Sequence, residues 1–216
     1  MPRWVCVLVR KIPLRDIALS PLPANPQVRF GWTGTVTTHP ADLRETNGGV
    51  AQALRDIRGS FVALGDGEGV RAELGLPSQV LMQTQPWVPV EEFVSSVRGA
   101  LDVGIVPLER SAFNDAKSNL KGLEFAACGI PFVASPSPEY QLLCSQGAGV
   151  LAGPFQWRQS LTTIAKDPDL RLHLGSRALS TVMENYVMED YAHDWLAAWT
   201  LAADLRSGVG HDALTL

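Results

Sequence analysis

The 216-residue chain is 46% apolar and 19% charged, the composition of a folded globular protein rather than a disordered one. At about 100 to 200 residues per domain it has room for one full domain and a short appendage, not for two Rossmann-size units. Its 22 acidic and 18 basic residues leave a net charge of −4, without the positive excess that draws a chain onto nucleic acid or anionic lipid.

In chain order, residues 1–27 hold one strand-like run, Trp4 to Val9, and then the proline-bearing linker Leu19 to Gln27. The run is too short for a signal-peptide core, and the segment is too short to make a domain alone. Short apolar, β-branched runs then recur at Val28 to Trp32, Ser60 to Leu64, Val80 to Thr84, Asp102 to Leu108, Pro131 to Ser135 and Gly149 to Ala152. They alternate with helical patterns, which predicts a parallel sheet covered on both faces. Between the first two runs, Leu43, Val50, Leu54 and Ile57 keep a helical period, and Pro40 with Asp42 predicts a helix start there. After the fourth run, Leu120, Leu123 and Ala127 are expected to face the core, and Gly129 with Pro131 ends that helix. Beyond residue 153 the pattern is wholly helical, over residues 156–165, 169–185 and 189–205. The expected fold class is α/β, a Rossmann-like doubly wound parallel sheet over residues 28–206 with extra C-terminal helices and a flexible tail at 207–216.

Several features carry little chemistry. Gly65-Asp-Gly67-Glu-Gly69 imitates a dinucleotide loop, but the third glycine of that fingerprint falls on Val70, so a glycine-rich turn is expected. Asp167-Pro168-Asp169 reads as a helix cap rather than a metal pair. The four histidines, His39, His173, His193 and His211, lack metal-ligand spacing; of these only His39 lies near the mouth of a strand. Cys6, Cys128 and Cys144 are widely spaced, with no CxxC pair, which fits a reducing compartment and a cytoplasmic protein. The longest uncharged run, Tyr140 to Trp157, is broken by glycines and Pro154 and is no membrane span. Tyr191, Trp195 and Trp199 recur every four residues, a stripe expected to be core or interface.

The segment Phe113-Asn-Asp-Ala-Lys117-Ser-Asn-Leu-Lys121-Gly-Leu-Glu124 lies just past a strand and leads into a helix, where doubly wound folds bind ligands. With the helix starting near Lys117, that lysine sits at a positive helix end, a conflict that a bound anion resolves. Exposed backbone N–H groups, the Ser118 hydroxyl and the ammonium make a diphosphate cradle. Glu124, on the same face, is placed to accept hydrogen bonds from ribose hydroxyls. The same spacing fits a solvated face with Lys121 and Glu124 as an ordinary helical pair, and spacing alone leaves both readings open.

Phe30-Gly-Trp32-Thr-Gly34, Asp102-Val-Gly-Ile-Val-Pro-Leu108, Phe113-Asn114, Lys117-Ser118, Lys121 and Glu124-Phe-Ala-Ala-Cys-Gly129-Ile-Pro131-Phe-Val-Ala-Ser135 resemble the nucleotide-sugar-binding half of GT-B glycosyltransferases, closest to the large retaining group called family 4. The likeness runs from Val28 to Trp199 and is most specific from Asp102 to Ser135. It implies a glycosyltransferase whose donor is a nucleotide diphosphate-sugar, with no cofactor and no metal. The donor would be bound by Gly34, Thr35, Phe113, Asn114, Lys117, Ser118 and Glu124. Lys117 and Ser118 would hold the phosphates and Glu124 the ribose, which gives Lys117 and Glu124 the catalytic roles. Glu139 would open the next helix. The loop Gln85-Pro-Trp87 would lie near the base, with Trp87 itself expected in the core.

Two departures from the family pattern stand out. The position eight before Glu124 is Ala116 where a second glutamate is common, and Trp32 to Thr38 holds no Lys or Arg. GT-B enzymes resemble two Rossmann-like domains around a cleft, and residues 1–27 match at most the last strand and linker of the acceptor half. A separate acceptor-binding domain, or self-association through Tyr191, Trp195 and Trp199, is therefore expected. A non-catalytic nucleotide- or protein-binding module derived from such a half is the alternative.

Overall fold

The computed structural model describes residues 27–38 and 41–207. Trp4 to Val9, most of the linker, Cys6, His39, Pro40, His211 and the tail from residue 208 lie outside these residues. Among the described residues the strands are β1 (Arg29–Thr35), β2 (Ser60–Asp66), β3 (Met82–Gln85), β4 (Val103–Val106), β5 (Phe132–Ala134) and β6 (Val150–Leu151). They form one sheet in the order β3-β2-β1-β4-β5-β6, with every pairing parallel. The expected α/β doubly wound sheet is present. The chain winds outward from β1 in one direction and from β4 in the other, so the reversal point falls between those two strands, where open α/β sheets bind ligands.

The helices are α1 (Gly49–Ile57), α2 (Val70–Glu73), α3 (Val90–Ala100), α4 (Ala112–Asp115), α5 (Leu120–Ala127), α6 (Pro138–Ser145), α7 (Trp157–Lys166), α8 (Pro168–Asn185) and α9 (Ala192–Ser207), with 3-10 turns at Asp42–Thr46 and Glu189–Tyr191. Burial on both faces explains why the central strands read as apolar runs rather than alternating ones, whereas the edge strand β3 exposes Gln83 and Thr84. Along β2, Phe61 and Ala63 enter one core with Phe30, Trp32, Leu54 and Trp157. Val62 and Leu64 enter the other, with Leu123, Phe125, Phe132 and Leu143. Each fully buried phenylalanine contributes about 1.5 to 3 kcal/mol of transfer free energy.

Close backbone approaches lock the helices to one another. A Cβ on Gly49 would lie 2.7 Å from the Trp157 Cβ, where α1 meets α7, and one on Gly175 would lie 2.5 Å from the Gly129 carbonyl oxygen, where α8 meets the end of α5. Asp167 caps α8 as expected, accepting a hydrogen bond from the Leu170 N–H at 2.9 Å.

Two expectations about helices are corrected. The helix predicted from Pro40 is not continuous, because Asn47 and Gly48 adopt left-handed backbone (φ 47° and 72°) between the 3-10 turn and α1. Asn and Gly accept that conformation cheaply, and the chain turns there. The aromatic stripe is also divided: Tyr191 belongs to a 3-10 turn, while Trp195 and Trp199 meet edge to face in α9 at 5.8 Å between ring centroids. Trp199 is 64% exposed. No helix among the described residues is long and apolar enough to cross a membrane.

Candidate functional site

A cavity of 240 Å³ opens beyond the carboxyl end of β4. Val106, Leu108 and Tyr140 form its apolar side, and Lys117, Ser118, Lys121 and Glu124 its polar side. A larger hollow of 390 Å³ beside β6 and α7 is lined by Val150, Leu151, Ile164, Leu174 and uncharged polar side chains, so it offers nothing to neutralise an anion.

The helix that carries the site starts later than expected. Ser111 caps the single turn of α4 by accepting from the Asn114 N–H at 3.2 Å, the Lys117 N–H donates to the Asn114 carbonyl at 3.1 Å, and α5 begins only at Leu120. Lys117 is therefore in the connection before α5, not in its first turn, and the predicted conflict with the helix dipole does not arise. Leu120, expected in the core, is 37% exposed at the rim of the cavity, while Leu123 and Ala127 are buried as expected.

Lys117 is instead compensated by a residue from far along the chain. Its Nζ lies 3.5 Å from Asp42 Oδ2 and 5.0 Å from the centroid of the Phe113 ring. Asp42, 4% exposed, also accepts through Oδ1 from the Glu109 N–H at 2.9 Å and from Asn114 Nδ2 at 2.8 Å. Asn114 donates to the Glu109 carbonyl at 2.8 Å as well. The amide of Asn114, expected to face the donor, is thus spent on tying the loop after β4 to the 3-10 turn. Phe113 is 74% exposed and lies outside the cavity lining. Asp42 is the functional residue that sequence reasoning missed. Its only local signal was that of a helix start.

Lys121 reaches the end of β1. Its Nζ lies 4.9 Å from the Trp32 ring centroid, within cation–π range, and 3.4 Å from where a Cβ on Gly34 would stand. Gly34 itself has φ 147°, where a side chain would be strained and would meet Trp32 at 2.9 Å. Thr35, next in β1, shares a hydrogen bond with Thr38 between their hydroxyls at 2.7 Å.

Burial sets the electrostatics of the α5 pair. It lowers the Lys121 pKa to about 8, against the opposing charges of Glu124 and Asp42. It raises that of Glu124 to about 7, opposed by Lys121. The Glu124 carboxyl makes no hydrogen bond or ion pair with the described residues. Near neutral pH its carboxyl exchanges readily between a hydrogen-bond acceptor and a donor. The Tyr140 hydroxyl accepts from the Gly122 N–H at 3.3 Å, which fixes the first turn of α5 against α6. Among the described residues no group of three or more His, Cys, Asp or Glu side chains could hold a metal ion.

No protein-family model matches the chain, and no curated protein matches it. Solved structures do. The chain superposes on TarM of S. aureus, in a complex that includes UDP, with a TM-score of 0.61 and 14% identity over 84% of this chain and 37% of that one. It superposes on HepE of Anabaena in complex with UDP-glucose at 0.58 and 16%, over 82% and 49%. With the C-terminal domain of LpcC, a glycosyl transferase group 1 family protein from Francisella tularensis, the score is 0.58 at 18% identity, over 77% of this chain and 88% of that domain. The chain has the Rossmann-like fold of one half of a GT-B glycosyltransferase. It spans less than half the length of TarM and HepE, and most of the LpcC C-terminal domain.

Within this GT-B fold the remaining expectations divide. Glu139 sits in the first turn of α6 as expected, its carbonyl accepting from Asn119 Nδ2 at 3.3 Å. Trp87 is not in the core. It is 59% exposed, its ring lying where a Cβ on Gly65 would come within 2.6 Å. Gly65 has φ 109° at the end of β2 and Gly69 has φ 77° before the single turn of α2, the glycine-rich turn that the sequence predicts.

Proposed function

We propose that this chain is the donor-binding half of a glycosyltransferase that takes a nucleotide diphosphate-sugar and transfers the sugar with retention of configuration. The observation that carries the reading is the cavity beyond the carboxyl end of β4, which Lys117, Ser118 and Glu124 line together. In this reading the diphosphate lies against Lys117, Ser118 and the turn at Gly34 and Thr35, and Glu124 takes the ribose hydroxyls. UDP and UDP-sugar complexes of proteins that share the fold support this class of ligand.

Catalysis then consists of positioning and charge. The anomeric carbon–oxygen bond breaks as charge accumulates on the departing diphosphate, and a fixed ammonium meets that charge without reorganisation. Lysine charge replaces a metal ion in this role. The 240 Å³ cavity is below the usual range of about 300 to 1,000 Å³ for ligand pockets, which fits one wall of a cleft. An acceptor-binding domain or a second copy of the chain, docked through the face bearing Trp195 and Trp199, supplies the other wall. Ala116, where a glutamate facing the sugar is common in the resembling family, favours a second reading, a nucleotide-binding module without catalysis.

Thermal melting with ligand tests the donor site. A nucleoside diphosphate from the uridine, guanosine, adenosine and thymidine set should stabilise the chain by about 2.7 kcal/mol at 100 times its dissociation constant, and NAD should stabilise it less. Stabilisation by NAD equal to that of the best diphosphate, or by none of the four diphosphates, rejects the reading.

A further inference from the structure

Trp32 to Thr38 contains no Lys or Arg, so the carboxyl end of β1 brings no cation of its own to the cavity. A cation nevertheless stands there. Lys121 extends from α5 over the face of Trp32, its Nζ 4.9 Å from the ring centroid, and its ammonium stops 3.4 Å from the missing Cβ of Gly34. Because residue 34 is glycine at φ 147°, it places no side chain of its own between that ammonium and the end of the strand.

We propose that Lys121 is the second phosphate-binding cation of this cavity, so that a diphosphate is seated between the ammonium groups of Lys117 and Lys121; the inference rests on the donor-site reading above. The two lysines differ in how their charge is met. Lys117 has Asp42 at 3.5 Å. Lys121 makes no ion pair with the described residues, and Glu124, three residues on, lies beyond ion-pair distance. A lysine retained for packing keeps its charge in water or opposite a carboxylate. Lys121 is only partly exposed, pairs with no described carboxylate at ion-pair distance and lines a cavity that also holds Ser118. A diphosphate supplies the absent counter-charge, and two cations suit it better than one.

The groups that face Lys121 are Glu124 on its own helix, Lys117 on the preceding connection, Asp42 from the 3-10 turn and Tyr140 from α6, with the Trp32 ring from β1. Burial lowers its pKa to about 8, Lys117 adds to that shift, and Glu124 with Asp42 opposes it. A bound diphosphate adds an anion and restores proton affinity, so binding above pH 8 takes up a proton.

Lys121→Met keeps the reach of the side chain and removes the charge. At pH 8, titration of the diphosphate selected in the melting experiment should show affinity at least about tenfold weaker than wild type, with affinity for the parent nucleoside unchanged and the apo melting temperature unchanged or higher. A measurement on wild type alone needs no variant to fold: the ratio of diphosphate to nucleoside affinity should fall about tenfold from pH 8 to pH 9.5, ionisation of the base cancelling in the ratio. A variant that binds the diphosphate as tightly as wild type, or a ratio that stays flat with pH, overturns the assignment and leaves the donor-site reading standing. A wild-type chain that binds none of the four diphosphates overturns both.

Discussion

The carboxylate of Asp42 accepts from the Glu109 N–H and the Asn114 amide and faces Lys117, so replacing it strands donors that are already out of water. Asp42→Ala should cost about 1 to 3 kcal/mol in urea unfolding. Asp42→Asn keeps an acceptor and should cost less than half as much, and equal stability of the two variants would show that the carboxylate does not hold the loop. Glu124 poses the opposite case, a group whose burial works against the fold when charged. Its pKa is about 7 in the folded chain against an ordinary 4.5, so the folded state holds the proton more tightly. Its contribution to stability is complete below pH 4.5 and is lost as pH rises to 7. Glu124→Gln should therefore raise the melting temperature of the unliganded chain at pH 7.5 and leave it unchanged at pH 4, while weakening nucleotide binding. A variant that loses stability at pH 7.5 would mean that the carboxylate has a stabilising partner.

At the scale of elements, the strands and the late helices were legible because their signals are local. The β-branched runs, the Asp167-Pro168 cap and the Gly129 stop depend on residues a few positions apart. The two misplaced helix starts have a common cause, since in each a short turn precedes the helix that the apolar period alone reads as continuous. Ser111 starts a separate single turn, α4, and α5 begins only at Leu120, while left-handed Asn47 and Gly48 break the helix read from Pro40. The approach of α8 to α5 yields a sharp test. Gly175→Ala in an ordinary helix is stabilising by about 1 kcal/mol. Here the new Cβ would come 2.5 Å from the Gly129 carbonyl oxygen, and backbone cannot step aside as a side chain can. The variant should lose about 1 to 3 kcal/mol by denaturant unfolding. A gain would mean that α8 does not pack this closely.

For the whole molecule, the proposed half-cleft predicts that the purified chain binds donor without multiple-turnover transfer, because a second wall is needed to place the acceptor and exclude water. Adding an acceptor-binding half should restore turnover in a product assay, and sustained transfer by the chain alone would reject the prediction. Trp199 and Leu196, both about two-thirds exposed on α9, are the surface on which that partner is expected, and their loss should remove the restoration but not nucleotide binding. By itself the sequence determined the fold class, the strand runs and the segment from Phe113 to Glu124 as the place to look, since hydrophobic period and turn chemistry act over short stretches. Only the tertiary structure decided what that segment touches. Asp42 meets Asn114 across 72 positions, and Lys121 meets Trp32 and Gly34 because β1 pairs with β4 at the centre of the sheet. Strand order and the rotation of α5 set those contacts, and neither leaves a trace in the spacing of residues along the chain.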